Sequence, residues 1–204
     1  MIQTIDRQKV QIFDGDTAFF GADQQWFPKR WHSVSGCGPT TAALITMYMA
    51  QVFAESCAPL YPYPFPADKA DFTAHMSEVR KFVKPGLMGL KSTATFASGT
   101  AAFAKDRGVE IVPQVVQSSL NMQNAFGFIQ KALEQRYMPA LLILKNPSRE
   151  LLDFHWHWMA VTGCDTDKQS VLVSTYGKEF ELPFELVWQQ QKPYEAGCVY
   201  FYPG

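Results

Sequence analysis

Cys37 stands in the stretch "SVSGCGPTTAALITMYMA", residues 33–50, between two glycines and ahead of a proline. Pro39 sits where its fixed φ suits the first turn of a helix. A thiolate at that place gains from the unpaired N–H groups and from the positive end of the helix macrodipole. The pattern marks Cys37 as a candidate nucleophile. A cysteine hydrolase also needs an imidazole beside the thiol and a donor for the oxyanion. The chain has four histidines. His32 lies in an aromatic stretch and His75 on an expected helix. His155 and His157 fall on an expected strand, whose alternation would point both to one face. Folding must bring the imidazole to the thiol, so sequence distance does not exclude them.

The elements that would position these groups are readable in outline. A helix is expected from about Cys37 to Val52, with Thr40, Leu44 and Met47 along one side. Before it, "KVQIF" reads as a strand closed by "DGD", and "AFFGADQQWFPKRWHS" as an irregular loop over the core. The four prolines of "CAPLYPYPFPAD" exclude regular structure there. Helices are expected at "ADFTAHMSEVRKFV", at "TFASGTAAFAKDRG" with Gly108 as its stop, and at "NMQNAFGFIQKALEQRY". "VEIVPQVV" and "PALLILKN" read as strands. The last third is strand throughout, at "HWHWMAVTGCD", "SVLVSTYG", "KEFELP" and "CVYFYP", apart from a short helix at "FELVWQQ". Helices first and a meandering antiparallel sheet afterwards predict an α+β fold.

At 204 residues and 47% hydrophobic content the chain can bury a full core, roughly 70% of its unfolded surface. No linker interrupts it, so one domain over 1–204 is expected, helical from about 30 to 140 and sheet from about 140 to 204. A net charge of -1 shows no basic excess for a nucleic acid. No apolar run approaches a membrane span, and "MIQTIDRQKVQIFDGD" carries no signal peptide. Cys37, Cys57, Cys164 and Cys198 form no CxxC pair, which argues against a zinc ribbon and for a reduced, cytoplasmic setting. A metal held by Cys37, His155 and His157 would lack its remaining ligand. No cofactor is implied. Cys57, Cys164 and Cys198 are read as small apolar packing groups.

"GCGPTTAALITMY" resembles the start of the nucleophile helix in papain-like cysteine peptidases, and in particular their bacteriocin-leader-processing branch. "HWMAVTG" is similar to the histidine strand of that fold, where a glycine falls six residues after the histidine. His157 and Gly163 have that spacing and His155 does not. The resemblance implies a papain-like fold with Cys37 as nucleophile and His157 as base. It also implies an Asn or Asp orienting the histidine, ahead of an aromatic and a glycine. "STYG" occupies that place, with Ser174 at the third position and Tyr176 as the covering aromatic. A serine hydroxyl can orient the imidazole but brings no charge to stabilise its cation. Asp165 and Asp167 are the alternative orienters. In "GADQQWFPKRW" the matching oxyanion donor is Gln24, with Gln25 one residue off. The implied activity is hydrolysis of a peptide, isopeptide or side-chain amide bond in a peptide or protein substrate. The alternative is a papain-like fold with impaired chemistry that binds peptides or proteins.

Overall fold

The computed structural model describes residues 1–86, 89–117, 119–189, 194 and 196–204. Its helices are α1 (Arg30–Val34), α2 (Cys37–Val52), α3 (Ala54–Cys57), α4 (Lys69–Val79), α5 (Thr93–Asp106), α6 (Met122–Glu134) and α7 (Phe184–Trp188). Its strands are β1 (Ile2–Thr4), β2 (Gln11–Asp14), β3 (Thr17–Phe20), β4 (Ala67–Asp68), β5 (Ile111–Gln117), β6 (Ala140–Ile143), β7 (His157–Asp165), β8 (Ser170–Thr175), β9 (Lys178–Pro183) and β10 (Gly197–Pro203). The fold is α+β, with the helix that begins at Cys37 packed on an antiparallel sheet. No described helix is long and apolar enough to cross a membrane.

Helix α2 is the centre of the molecule. Every residue from Cys37 to Ala50 is buried, so the expected one-sided stripe of Thr40, Leu44 and Met47 is a helix buried all round. Ala42 and Ala43 let neighbours approach its axis closely, and α2 packs on both β7 and α4. One polar link crosses the α2–α4 seam. His75 Nε2 lies 3.2 Å from the Ala43 carbonyl and 2.9 Å from Thr46 Oγ1.

Among the described residues the larger sheet runs β5-β10-β6-β7-β8-β9, with β1 added to β7. It is not the expected meander, because β10 returns between β5 and β6 instead of following β9. Burial gives the reason. Residues Gly197 to Phe201 are buried, which suits a strand flanked on both sides. β9 carries Lys178, Glu179 and Glu181 and takes the edge, where charge blunts further pairing. β7 is buried along its whole length. Its first half pairs with β6, its second half with β1, and β8 lies along its other side. β1 and β5 join the sheet from outside the last third of the chain. The region expected as an irregular loop is partly ordered: β3 pairs with β2 in a second sheet, and α1 forms just before Cys37.

Candidate active site

Cys37 is the first residue of α2, as the flanking glycines and proline predict. The structure gives both glycines a packing reason. A Cβ on Gly36 would lie 2.6 Å from the His32 carbonyl oxygen and 2.8 Å from the Phe27 ring. A Cβ on Gly38 would lie 2.9 Å from Leu90 Cδ2. The thiol is only 7% exposed, and its S–H donates to the Trp156 carbonyl at 3.9 Å. Burial raises the thiol pKa above its ordinary value. Against that, the backbone N–H groups of Trp158, Gly38 and Cys37 beside the sulfur pull the pKa down. Burial wins.

His157 is the first residue of β7 and is 5% exposed. The alternation expected to align His155 with His157 fails because Trp156, between them, adopts φ 56° and the strand begins only after it. That turn directs the Trp156 carbonyl onto Cys37, while the Trp156 N–H donates to Leu144 O at 3.0 Å. His155 sits outside the strand with Nε2 buried and unpartnered. His157 Nε2 lies 2.7 Å from Thr175 Oγ1, and the ring stacks on Tyr176 at 4.8 Å and 20°. Tyr176 is held in turn at φ 53°, its hydroxyl donating to the Asp153 carbonyl at 2.7 Å. Burial lowers the His157 pKa to about 4, so the imidazole is neutral near pH 7.

Ser174 is not the residue behind His157, which corrects the expected third position. Its hydroxyl donates to the Phe20 carbonyl at 3.0 Å, in space that Gly21 leaves open: a Cβ there would come within 1.8 Å of Ser174 Oγ. The cause is register. Ser174 pairs with Ala160, so Thr175 shares the face of Met159 and His157. Asp165 and Asp167 are excluded as orienters. Asp165 lies at the far end of β7, eight residues and about 26 Å along the strand. There it accepts the N–H groups of Asp167 and Lys168 and pairs with the N-terminus, as Asp167 also does.

Gln24 lines the same cavity as Cys37, whereas Gln25 is exposed. Gln24 Nε2 donates one hydrogen to the Ser33 carbonyl at 2.8 Å, and its Oε1 is buried without a partner. Ala22, Thr40, Thr41, Leu44, Trp158, Ser174 and Thr175 complete the lining of this cavity, whose volume of about 10 Å³ is that of a single water. Trp158 is locked there by its indole N–H to Leu90 O at 2.7 Å and by stacking on Phe96 at 4.1 Å. The sulfur therefore rests against the backbone on either side of His157, and Thr175 joins the histidine to the cavity. No hydrogen bond joins Cys37 to the His157 ring among the described residues; the S–H takes the Trp156 carbonyl, and His157 Nε2 is with Thr175. His75 is a core residue, its pKa lowered to about 3 by burial. His32 lies in a separate cleft. Cys57, Cys164 and Cys198 are free and buried, and no described group of His, Cys, Asp or Glu suits a metal ion.

Sequence reasoning missed Thr175 and the carbonyl of Trp156. The first depends on strand register and the second on one backbone dihedral, and neither leaves a signal in residue type.

No protein-family model matches the chain, and no curated protein is similar to it. Among solved structures it is similar to the crystal structure of the Pseudomonas avirulence protein AvrPphB. The two are 12% identical, with a TM-score of 0.40, over 86% of this chain and 94% of that one. The case for a papain-like site therefore rests on the residues described above.

Proposed function

We propose that this chain is a papain-like Cys-His hydrolase acting on a peptide, isopeptide or side-chain amide bond of a peptide or protein. One observation carries the reading. Gln24, Cys37, Trp158, Ser174 and Thr175, scattered along the chain, meet around one cavity at the N-terminus of α2, and His157 is tied to one of them. The finer assignment, to the bacteriocin-leader-processing branch, is supported by the motifs around Cys37 and His157 alone.

For His157 to act as base, Nε2 carries its hydrogen and donates to Thr175, which leaves Nδ1 free to take the thiol proton. The thiolate then attacks the substrate carbonyl. The resulting oxyanion takes the Cys37 N–H and the second amide hydrogen of Gln24. His157 returns the proton to the leaving amine, and water, deprotonated by the same imidazole, hydrolyses the thioester. Tyr176 covers the His157–Thr175 pair and keeps water off it.

A second reading, a peptide-binding module with impaired chemistry, is favoured by a different observation. The thiol is closed in, raised in pKa and bonded to a carbonyl. Peptidyl acyloxymethyl ketones, which need the thiol and its neighbours in working order, separate the two. The hydrolase reading expects covalent modification of Cys37 at neutral pH, slowed by about 100-fold in His157→Ala. Reversible binding of the probe with no modification, or modification indifferent to His157, would support the module and end the hydrolase reading.

A further inference from the structure

A cleft of about 420 Å³ separates α1 from α4 and is lined by Pro28, Lys29, His32, Ser77, Arg80 and Lys81. It shares no lining residue with the cavity at Cys37. Its polar groups are nearly all cationic or able to become so. Lys81 is answered by Glu78 at 2.7 Å, but among the described residues neither Lys29 nor Arg80 has a carboxylate partner. Arg80 is also fixed in place. One nitrogen donates to Ser35 Oγ at 3.5 Å, the guanidinium lies 5.8 Å from the Phe27 ring centroid, and Nη1 is buried with no partner. A buried guanidinium N–H without an acceptor carries a desolvation cost that a bound anion would remove.

We propose that this cleft binds a carboxylate carried by an acidic residue of the peptide that the protein engages. Lys29 and Arg80 line the cleft and supply the charge, and Arg80 carries a nitrogen that no described acceptor has taken. With a net charge of -1 the chain has no general attraction for anions, so binding must be local to such a cluster. The cleft is also coupled to the candidate active site. Arg80 holds Ser35, two residues before Cys37, and the His32 carbonyl packs on Gly36, the residue next to it. An acidic side chain seated here would lie beside the entry to the nucleophile helix. That the carboxylate belongs to a substrate rests on the hydrolase reading; that the cleft takes an anion does not. His32 reports on occupancy. Partial burial, and then the charges of Arg80 and Lys29, hold its pKa below the ordinary value, and an anion between them would raise it.

The test uses the full chain carrying Cys37→Ala, so that cleavage cannot interfere. Fluorescein-labelled hexaglutamate and hexaglutamine are titrated by anisotropy at low salt. Hexaglutamate is expected to bind about tenfold tighter, with the advantage lost in Lys29→Gln and in Arg80→Gln. Lys29 is exposed, and among the described residues its side chain makes no hydrogen bond; its backbone carbonyl, which accepts from His32 and Ser33, is kept in the variant, so Lys29→Gln keeps the test sound should Arg80→Gln disturb folding. The His32 proton resonance, assigned with His32→Gln, should titrate at higher pH when hexaglutamate is present. Equal binding of the two peptides, or an advantage that survives both substitutions, would overturn the proposal. A His32 response to inorganic phosphate but not to hexaglutamate would overturn the peptide assignment. Acid-selective binding in a protein whose wild-type form is not modified by the peptidyl ketone would leave the cleft standing and remove the hydrolase.

Discussion

Replacing Thr175 by valine removes one hydroxyl and almost no volume. In the structure that hydroxyl lies 2.7 Å from His157 Nε2, and the two residues are 7% and 5% exposed. Tyr176 stacks on the His157 ring and shields it from bulk solvent. A buried polar group left without its partner costs about 1–3 kcal/mol. For a chain of 204 residues each kcal/mol lowers Tm by about 2–4 °C, so Thr175→Val should melt roughly 2–12 °C lower. The hydrogen bond also strengthens as the imidazole becomes an imidazolium. If the whole of it is felt in the transition state, modification of Cys37 slows by about 5- to 150-fold. Ser174→Ala is the control. It removes the bond to the Phe20 carbonyl and leaves the His157–Thr175 hydrogen bond intact, so it should cost about 1 kcal/mol of stability and slow modification far less than Thr175→Val. The assay is the pseudo-first-order rate of Cys37 modification by a peptidyl acyloxymethyl ketone, followed by intact mass beside urea unfolding. If Ser174→Ala slows modification and Thr175→Val does not, the assignment of the orienting hydroxyl is wrong.

Three further outcomes are expected. Burial holds His157 at about 4 and His75 at about 3, both below the unfolded value, so between about pH 6.5 and 4 the unfolded chain binds protons that the folded chain does not. Stability then rises with pH across that window and is lost on acidification, by up to roughly 3 kcal/mol per pH unit for the pair; urea unfolding of His75→Gln should show about half that slope. Alanine at the glycines should destabilise in the order Gly21, Gly36, Gly38. Gly21 combines φ 75° with a 1.8 Å clash, Gly36 meets a backbone carbonyl, and Gly38 meets the movable tip of Leu90; equal melting temperatures would contradict this. Iodoacetamide modification of Cys37 should still be accelerating above about pH 8.5, because burial raises the thiol, and a plateau below about pH 7 would mean that the backbone N–H groups outweigh burial.

Local chemistry is what a reader of the chain can recover. Gly-Cys-Gly-Pro ahead of an apolar run announces a helix beginning at Cys37, because capping and first-turn preferences act within a few residues. The alternating and apolar runs of the last third announce strands for the same reason. The place of β10 in the sheet was not legible, since pairing across the chain depends on which strand can be buried on both edges.

The third residue of the candidate site shows where local reading stops. The β7–β8 hairpin pairs Asp165 with Ser170 and Gly163 with Leu172, and continued without interruption it would set Ser174 against Val161, on the His157 face. A bulge at Thr162 intervenes. Beyond it Val161 meets Val173 and Ala160 meets Ser174, so Ser174 turns away and Thr175 takes its place at His157. The neutral state of Cys37 and His157 is likewise a product of packing, since a helix N-terminus by itself favours the thiolate and only burial reverses it. Residue types and short spacings thus name the helix, the strands, the thiol and the imidazole, because those preferences are local. Which hydroxyl holds the imidazole, and whether the pair is charged, were decided by one extra residue in a strand and by the depth of burial, which exist only once distant segments have packed.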